Sequence, residues 1–364
     1  MIILFALLMN TFPVFSQEIR LTSAGDMIPH IGLQQFCVQT GDFDSLFRSI
    51  SPEIKKSDIA IVNFESSMNT HRPISGYPMF NAHPEIMKAL KNAGFTHLSL
   101  ANNHSLDMGA EGLRQTVAHA EKNQLQQSGI SLNGREYLKP LYFASRGIRF
   151  AFLSLTTITN GLRNPAGENT PKVFLLNKTN IKQVLRLIGE MKQKSDMVII
   201  AIHYGAEYID MPNNEQIYYS RILAEAGADI ILGNHPHHIQ KPAWINVRNN
   251  RKRTFVSYSQ GNFISHQNRF IHPGNVHSPI AKRGDSFLMH IYIKKDTSGT
   301  YIQRVTYTPT WTLVLHQRRM LSYSVVILYR EIKSARYPNL VSLFIQRRKR
   351  ITEFLGSIMN LEEN

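Results

Sequence analysis

The chain has 364 residues, 43% of them apolar, enough for a large buried core and too apolar for a disordered or fibrous protein. Its formal net charge of +15 raises the question of nucleic acid, but no aromatic stacking platform or groove-reading motif accompanies the cations, so no nucleic-acid partner is expected. The single cysteine, Cys37, excludes an intramolecular disulfide and reads as a small packed residue.

Residues 1–16 carry no charged side chain, and their apolar stretch at 2–9 is too short to span a bilayer. With Val14-Phe15-Ser16 as a small-residue cleavage site, they read as a signal peptide, although no Lys or Arg opens the segment; the alternative is a first core strand. An exported protein, periplasmic or cell-surface associated, is expected. Apolar, β-branched runs follow at 19–23, 59–63, 97–100, 149–155, 197–202, 230–232 and 254–258. Helical periodicity lies between many of them, at 83–93 closed by Gly94, at 111–122, at 181–192, and at 215–226 closed by Gly227. This alternation predicts βαβ units and a mainly parallel sheet early in the chain. The runs at 287–294 and 301–307 have no helix between them and read as an antiparallel pair.

The fold class is therefore α/β, a two-sheet sandwich flanked by helices, with one domain over residues 17–310. Residues 162–177 and 265–284 are rich in Gly, Pro and Asn and read as long loops. Residues 311–364 read as a basic C-terminal extension: between 317 and 350 nine Lys/Arg face a single acid, Glu331. That extension is either an amphipathic helix packed on the core or an exposed element contacting a membrane surface or an anionic envelope polymer.

Polar clusters stand at the ends of the apolar runs: Gly25-Asp26, Asn63-Phe64-Glu65, Asn102-Asn103-His104, His203-Tyr204-Gly205, Gly233-Asn234-His235-Pro236-His237 and Gly261-Asn262. Each has an ordinary reading by itself. An Asp after a strand caps helices, paired Asn make turns, and a lone His is usually a hydrogen-bonded structural residue. Together they fit oxygen and imidazole donors converging on bound cations, because buried polar groups are costly unless paired or ligated. Asp26 then anchors a cation, and Glu65 bridges two. The Asn103 amide oxygen is a ligand beside an outward His104 that Asp107 orients. His235 and His237, at i and i+2 of a chain that Pro236 keeps extended, face one site. His203 adds a nitrogen, with Glu207 four residues on as its hydrogen-bond partner.

Those clusters, with Gly76-Tyr77-Pro78, Phe80-Asn81-Ala82, residues 101–109, His203 through Tyr208 and Tyr258 through Phe263, resemble the bacterial capsule-synthesis protein CapA family. Its members are also called poly-γ-glutamate biosynthesis proteins, and the family is similar to calcineurin-like metallophosphoesterases. The resemblance covers about residues 20–310. It implies a four-layer α/β/β/α fold and a site for two divalent cations, identity open among Mn, Fe, Zn and Mg. Carried over by motif, Asp26, Glu65, Asn103, His203, His235 and His237 are metal ligands, His104 protonates or steadies a leaving group, and Asn262 lines the site. The sequence departs from the metallophosphoesterase pattern where a His two residues after the first Asp is replaced by Ile28; His30, four residues on, is a candidate substitute or substrate contact. Tyr204 and Gln260 stand where Trp and Leu are expected. The resemblance implies a metal-dependent hydrolase-type factor of capsule or envelope-polymer synthesis, or alternatively a non-catalytic polymer assembly or anchoring factor on the same fold.

Overall fold

A computed structural model describes residues 17–247, 252–317 and 320–363. The expected signal segment, residues 1–16, lies outside the described residues. The first half alternates strand and helix. It runs β1 (Gln17–Met27), α1 (Ile31–Thr40), α2 (Ser51–Ile54), β2 (Ile59–Phe64), α3 (Glu85–Ala93), β3 (His97–Ser99), α4 (Gly109–Lys122) and β4 (Gln126–Ser128). A second unit adds β5 (Leu141–Ser145), β6 (Ile148–Thr156), α5 (Ile181–Lys194), β7 (Met197–His203), α6 (Asn214–Ala226), β8 (Ile230–Asn234), β9 (Ala243–Val247) and β10 (Lys252–Ser257). The chain then returns through β11 (Asn262–Ile264), β12 (Asp285–Asp296), β13 (Gly299–Gln317), β14 (Met320–Ile327), α7 (Leu328–Ser334), α8 (Val341–Leu355) and β15 (Asn360–Leu361).

The larger sheet has the order β14-β13-β12-β1-β2-β3-β4, with β11 beside β1 and β15 beside β13; the smaller is β9-β10-β8-β7-β6-β5. β1 to β4 run parallel, as do β6, β7, β8 and β10, whereas β12, β13 and β14 join antiparallel. Ile59 and Ile61 of β2 pack between the sheets with Phe150, Phe152, Ile199 and Ile230, while Ala60 and Val62 of the same strand face α3 and α4. Burial on both faces is why such strands are continuous apolar runs. On the far side, Ala151, Val198 and Ile200 pack under α5 and α6. The result is four layers, α/β/β/α.

One expectation is corrected here. Residue 310 is no domain boundary, because it falls within β13, and residues 311–364 are part of the fold. β14 extends the large sheet, and Leu343, Phe344, Ile351 and Leu355 of α8 are buried in the core between the sheets. Of the seven described cations in the basic run, four are tied to acids elsewhere in the fold: Arg347 and Arg350 grip the buried Asp285, Arg348 pairs with Glu363, and Arg330 with Glu53. Of the two readings of this segment, the structure shows a helix packed on the core.

Candidate metal centre

The parallel strands of both sheets end at one rim, and the polar clusters meet there. At the end of β1, Gly25 passes so close to Gly261 that an added Cβ would stand 2.0 Å from its carbonyl oxygen. The Asp26 N–H donates to that same oxygen at 3.0 Å, which fixes a fully buried carboxylate at the strand end. Asp26 Oδ1 accepts from Asn63 Nδ2 at 2.9 Å and from the Asn234 amide at 3.2 Å. Its Oδ2 accepts from the His235 N–H at 3.3 Å and lies 3.1 Å from His237 Nδ1.

Glu65 Oε1 lies 3.8 Å from the Nε2 atoms of both His203 and His237. Among the described residues neither Glu65 oxygen has a hydrogen-bond partner, although the side chain is buried. Burial, then the neighbouring Asp26 carboxylate, holds its pKa well above the usual carboxylate range. The imidazoles are pushed the other way: burial and then His235 hold His203 well below its ordinary value, and burial and then His237 bring His235 to about 3. The neutral rings offer lone pairs, and His203 Nε2 and His235 Nδ1 are buried without partners.

Three sets of three donors at the rim each lie within 4.8 Å of one another: Glu207–His235–His237, with the exposed Glu207, and the two fully buried sets Glu65–His203–His235 and Asp26–Glu65–His237. Glu65 belongs to both. Asn103 is buried nearby with its Oδ1 unpartnered while its Nδ2 donates to Asn160 Oδ1 at 3.4 Å. Asn102 braces this loop, donating to the Phe64 carbonyl at 2.8 Å and accepting the His104 N–H at 3.1 Å. His104 Nδ1 lies 2.7 Å from Asp107 Oδ2, which also accepts the Phe80 N–H at 2.6 Å, and the His104 ring stands edge-on to Phe80. Unpartnered acceptors of carboxylate, amide and imidazole type, buried together, are the donor set that hard or borderline divalent cations take.

The structure alters three local expectations. His235 and His237 converge, but not through an extended segment: their φ angles are 98° and 56°, so Pro236 sits in a left-handed turn that the Tyr208 N–H caps by donating to the Pro236 carbonyl at 2.7 Å. Glu207 does not hold His203. The chain reverses at Gly205, φ 97°, and carries Glu207 across to lie within 4.8 Å of His235 and His237 instead. His203 Nδ1 meets Asn63 Nδ2 at 3.4 Å. His30 joins none of the donor groups; it stacks on His266 at 4.1 Å and meets Phe80 edge-on, while the buried Ile28 keeps the position two residues after Asp26 apolar. Asn262 is the register partner of Asp26, and its Nδ2 is spent on Gln267 and the Arg283 carbonyl.

Asn63 and Asn234 stand in the clusters read from the sequence, which assigns neither a role of its own. Both are the last polar residues of buried strands paired in register with site-bearing neighbours, Asn63 with Asp26 and Asn234 with His203. That register was the available signal.

The sequence model of the family described as "Bacterial capsule synthesis protein PGA_cap" matches residues 20–267. The "PGA biosynthesis protein CapA" of Bacillus subtilis (strain 168) is 30% identical over 262 residues, which are 71% of this chain and 63% of that one. The "Capsule biosynthesis protein CapA" of Bacillus anthracis is 29% identical over 257 residues, 69% of this chain and 61% of that one. The chain thus spans less than two thirds of the length of these relatives. Among solved structures, a calcineurin-like phosphoesterase, YfkN of Bacillus subtilis, superposes with a TM-score of 0.46 at 10% identity, covering 93% of this chain and 99% of that one.

Proposed function

We propose, from the premise that this chain belongs to the bacterial capsule synthesis protein family, that it acts in making an anionic envelope polymer through a metal-dependent hydrolytic site at the strand-end rim. One observation carries the reading: Asp26, Glu65, His203, His235 and His237 meet at one rim, where both Glu65 oxygens, His203 Nε2, His235 Nδ1 and Asn103 Oδ1 are buried with no partner among the described residues. Glu65, His203 and His235, with Asn103 beside them, would hold one divalent cation, and Asp26, Glu65 and His237 a second. Cations bound there supply Lewis-acid polarisation of a substrate oxygen and acidify water near neutral pH.

The chain's own residues do the rest. Asp107 fixes the His104 ring through Nδ1, leaving Nε2 as the nitrogen that gives a proton to a leaving group. Asp26 holds His237 in one orientation, and Asn63 ties Asp26 to His203. Glu207, on the open side of the His-Pro-His turn, stands where it can orient an attacking water. Export to the cell envelope and a polymer partner, poly-γ-glutamate or polysaccharide, belong to the same proposal.

The buried Ile28 favours a second reading, a non-catalytic assembly factor with an incomplete cation site. Bound metal per chain, combined with hydrolysis of bis(p-nitrophenyl) phosphate by wild type and His104→Ala, separates the two. The hydrolytic reading expects metal in both proteins and a rate about 10²–10⁴-fold lower in the variant. Equal rates at background level would leave the assembly reading.

A further inference from the structure

Four cations gather around residues 282–285, at the edge of the site, and three are neutralised. Lys282 donates to Asp210, Arg350 reaches Asp210 at 3.6 Å and grips Asp285, and Arg347 Nε donates to Asp285 Oδ1 at 2.8 Å. Arg283 stands apart. Among the described residues no carboxylate pairs with its guanidinium, which is half-buried over the Tyr208 ring at 4.0 Å. Tyr208 also meets the His237 and His238 rings, each with centroids 5.8 Å away.

The backbone at Arg283 is fixed from both sides. Its carbonyl accepts Asn262 Nδ2 at 2.9 Å, Asn262 pairs in register with Asp26, and Asp285 two residues on is clamped by α8. A guanidinium held this way has given up part of its hydration for a ring face and keeps a planar fork of N–H donors unspent. That fork matches the two oxygens of a carboxylate or phosphate.

We infer that Arg283 is a substrate-binding residue that grips an oxyanion, carboxylate or phosphate, lying on the substrate next to its reacting group at the Asp26–Glu65–His237 side of the pocket. The inference rests on the proposed hydrolytic site. It adds a requirement that site alone does not impose: the substrate carries a second negative group close to the bond attacked. The Tyr208 stack pre-orients the fork, and the paired Lys282, Arg347 and Arg350 do not compete for the anion.

The test is calorimetric titration of the full chain, loaded with manganese at low ionic strength, with two probes: inorganic phosphate and tri-γ-glutamate. Arg283→Ala is expected to weaken one or both probes about ten- to a hundredfold, with manganese stoichiometry unchanged and Arg283→Lys recovering part of the loss. Loss with phosphate assigns the subsite to phosphate, and loss with the tripeptide assigns it to carboxylate. Unchanged affinity for both in Arg283→Ala, or no binding of either probe to wild type, overturns the inference; Arg283→Lys gives the same comparison if the alanine variant does not fold. Failure of wild type to take up manganese would instead strike the hydrolytic reading, which the stoichiometry reports separately.

Discussion

Glu65→Gln separates the cost of the site from its use. In wild type without cations, the buried Glu65 either holds an unpaired charge beside Asp26 or takes up a proton, since neither oxygen has a hydrogen-bond donor. Gln keeps the shape and removes the charge, so with chelator present the variant should melt no lower than wild type. With manganese at a hundred times its dissociation constant, wild type gains about 2.7 kcal/mol. For a chain of 364 residues that is a rise of about 3–4 °C. A neutral amide shared between two cation positions loses most of that gain, and the variant should rise by less than about 1 °C. Differential scanning calorimetry at pH 7.5, with and without manganese, reads all four values. Equal manganese shifts in the two proteins would refute the assignment of Glu65 as the shared ligand, and a much lower melting point for the chelated variant would refute the argument that Glu65 is unsatisfied.

Other consequences are measurable. Asp285→Ala leaves the buried Arg347 without its carboxylate, with only the Val276 carbonyl at 3.1 Å to accept from it, and should cost about 3–5 kcal/mol in urea unfolding; an unchanged midpoint would contradict the integral role given to residues 311–364. His97, packed against Phe143, is held down by burial to about 4 from an ordinary 6.5. The unfolded chain therefore binds this proton first as pH falls, so its share of stability is full above about 6.5 and is lost on acidification toward about 4, amounting to about 3 kcal/mol. His97→Gln should flatten the melting temperature between pH 7 and pH 4.5 by a corresponding part, and an identical slope would contradict this.

Legibility in the sequence followed physical range. Strands buried on both faces, such as 59–64 and 197–203, announce themselves as β-branched runs, and the polar residue ending each run marks the rim. Asp26, Glu65, His104, His203, His235 and His237 are legible that way as candidates, and the fold brings the carboxylates and the last three histidines together. What failed depended on backbone conformation or distant partners. The left-handed turn at His235 and His237 has no compositional sign, since Pro236 itself argues for extension. Glu207 moved because Gly205 reverses the chain. The C-terminal cations looked like a solvated face, because a buried Arg347 is recognisable only once Asp285, 62 residues earlier, is seen against it. α1 has neither a side-chain cap nor an acidic first turn to announce it.

The most direct test of the cation site is an anomalous difference map from crystals of the full chain grown with manganese. The account predicts peaks within the pocket, one bounded by Glu65, His203 and His235 and one by Asp26, Glu65 and His237. A map with no anomalous density among these side chains at saturating manganese would contradict it.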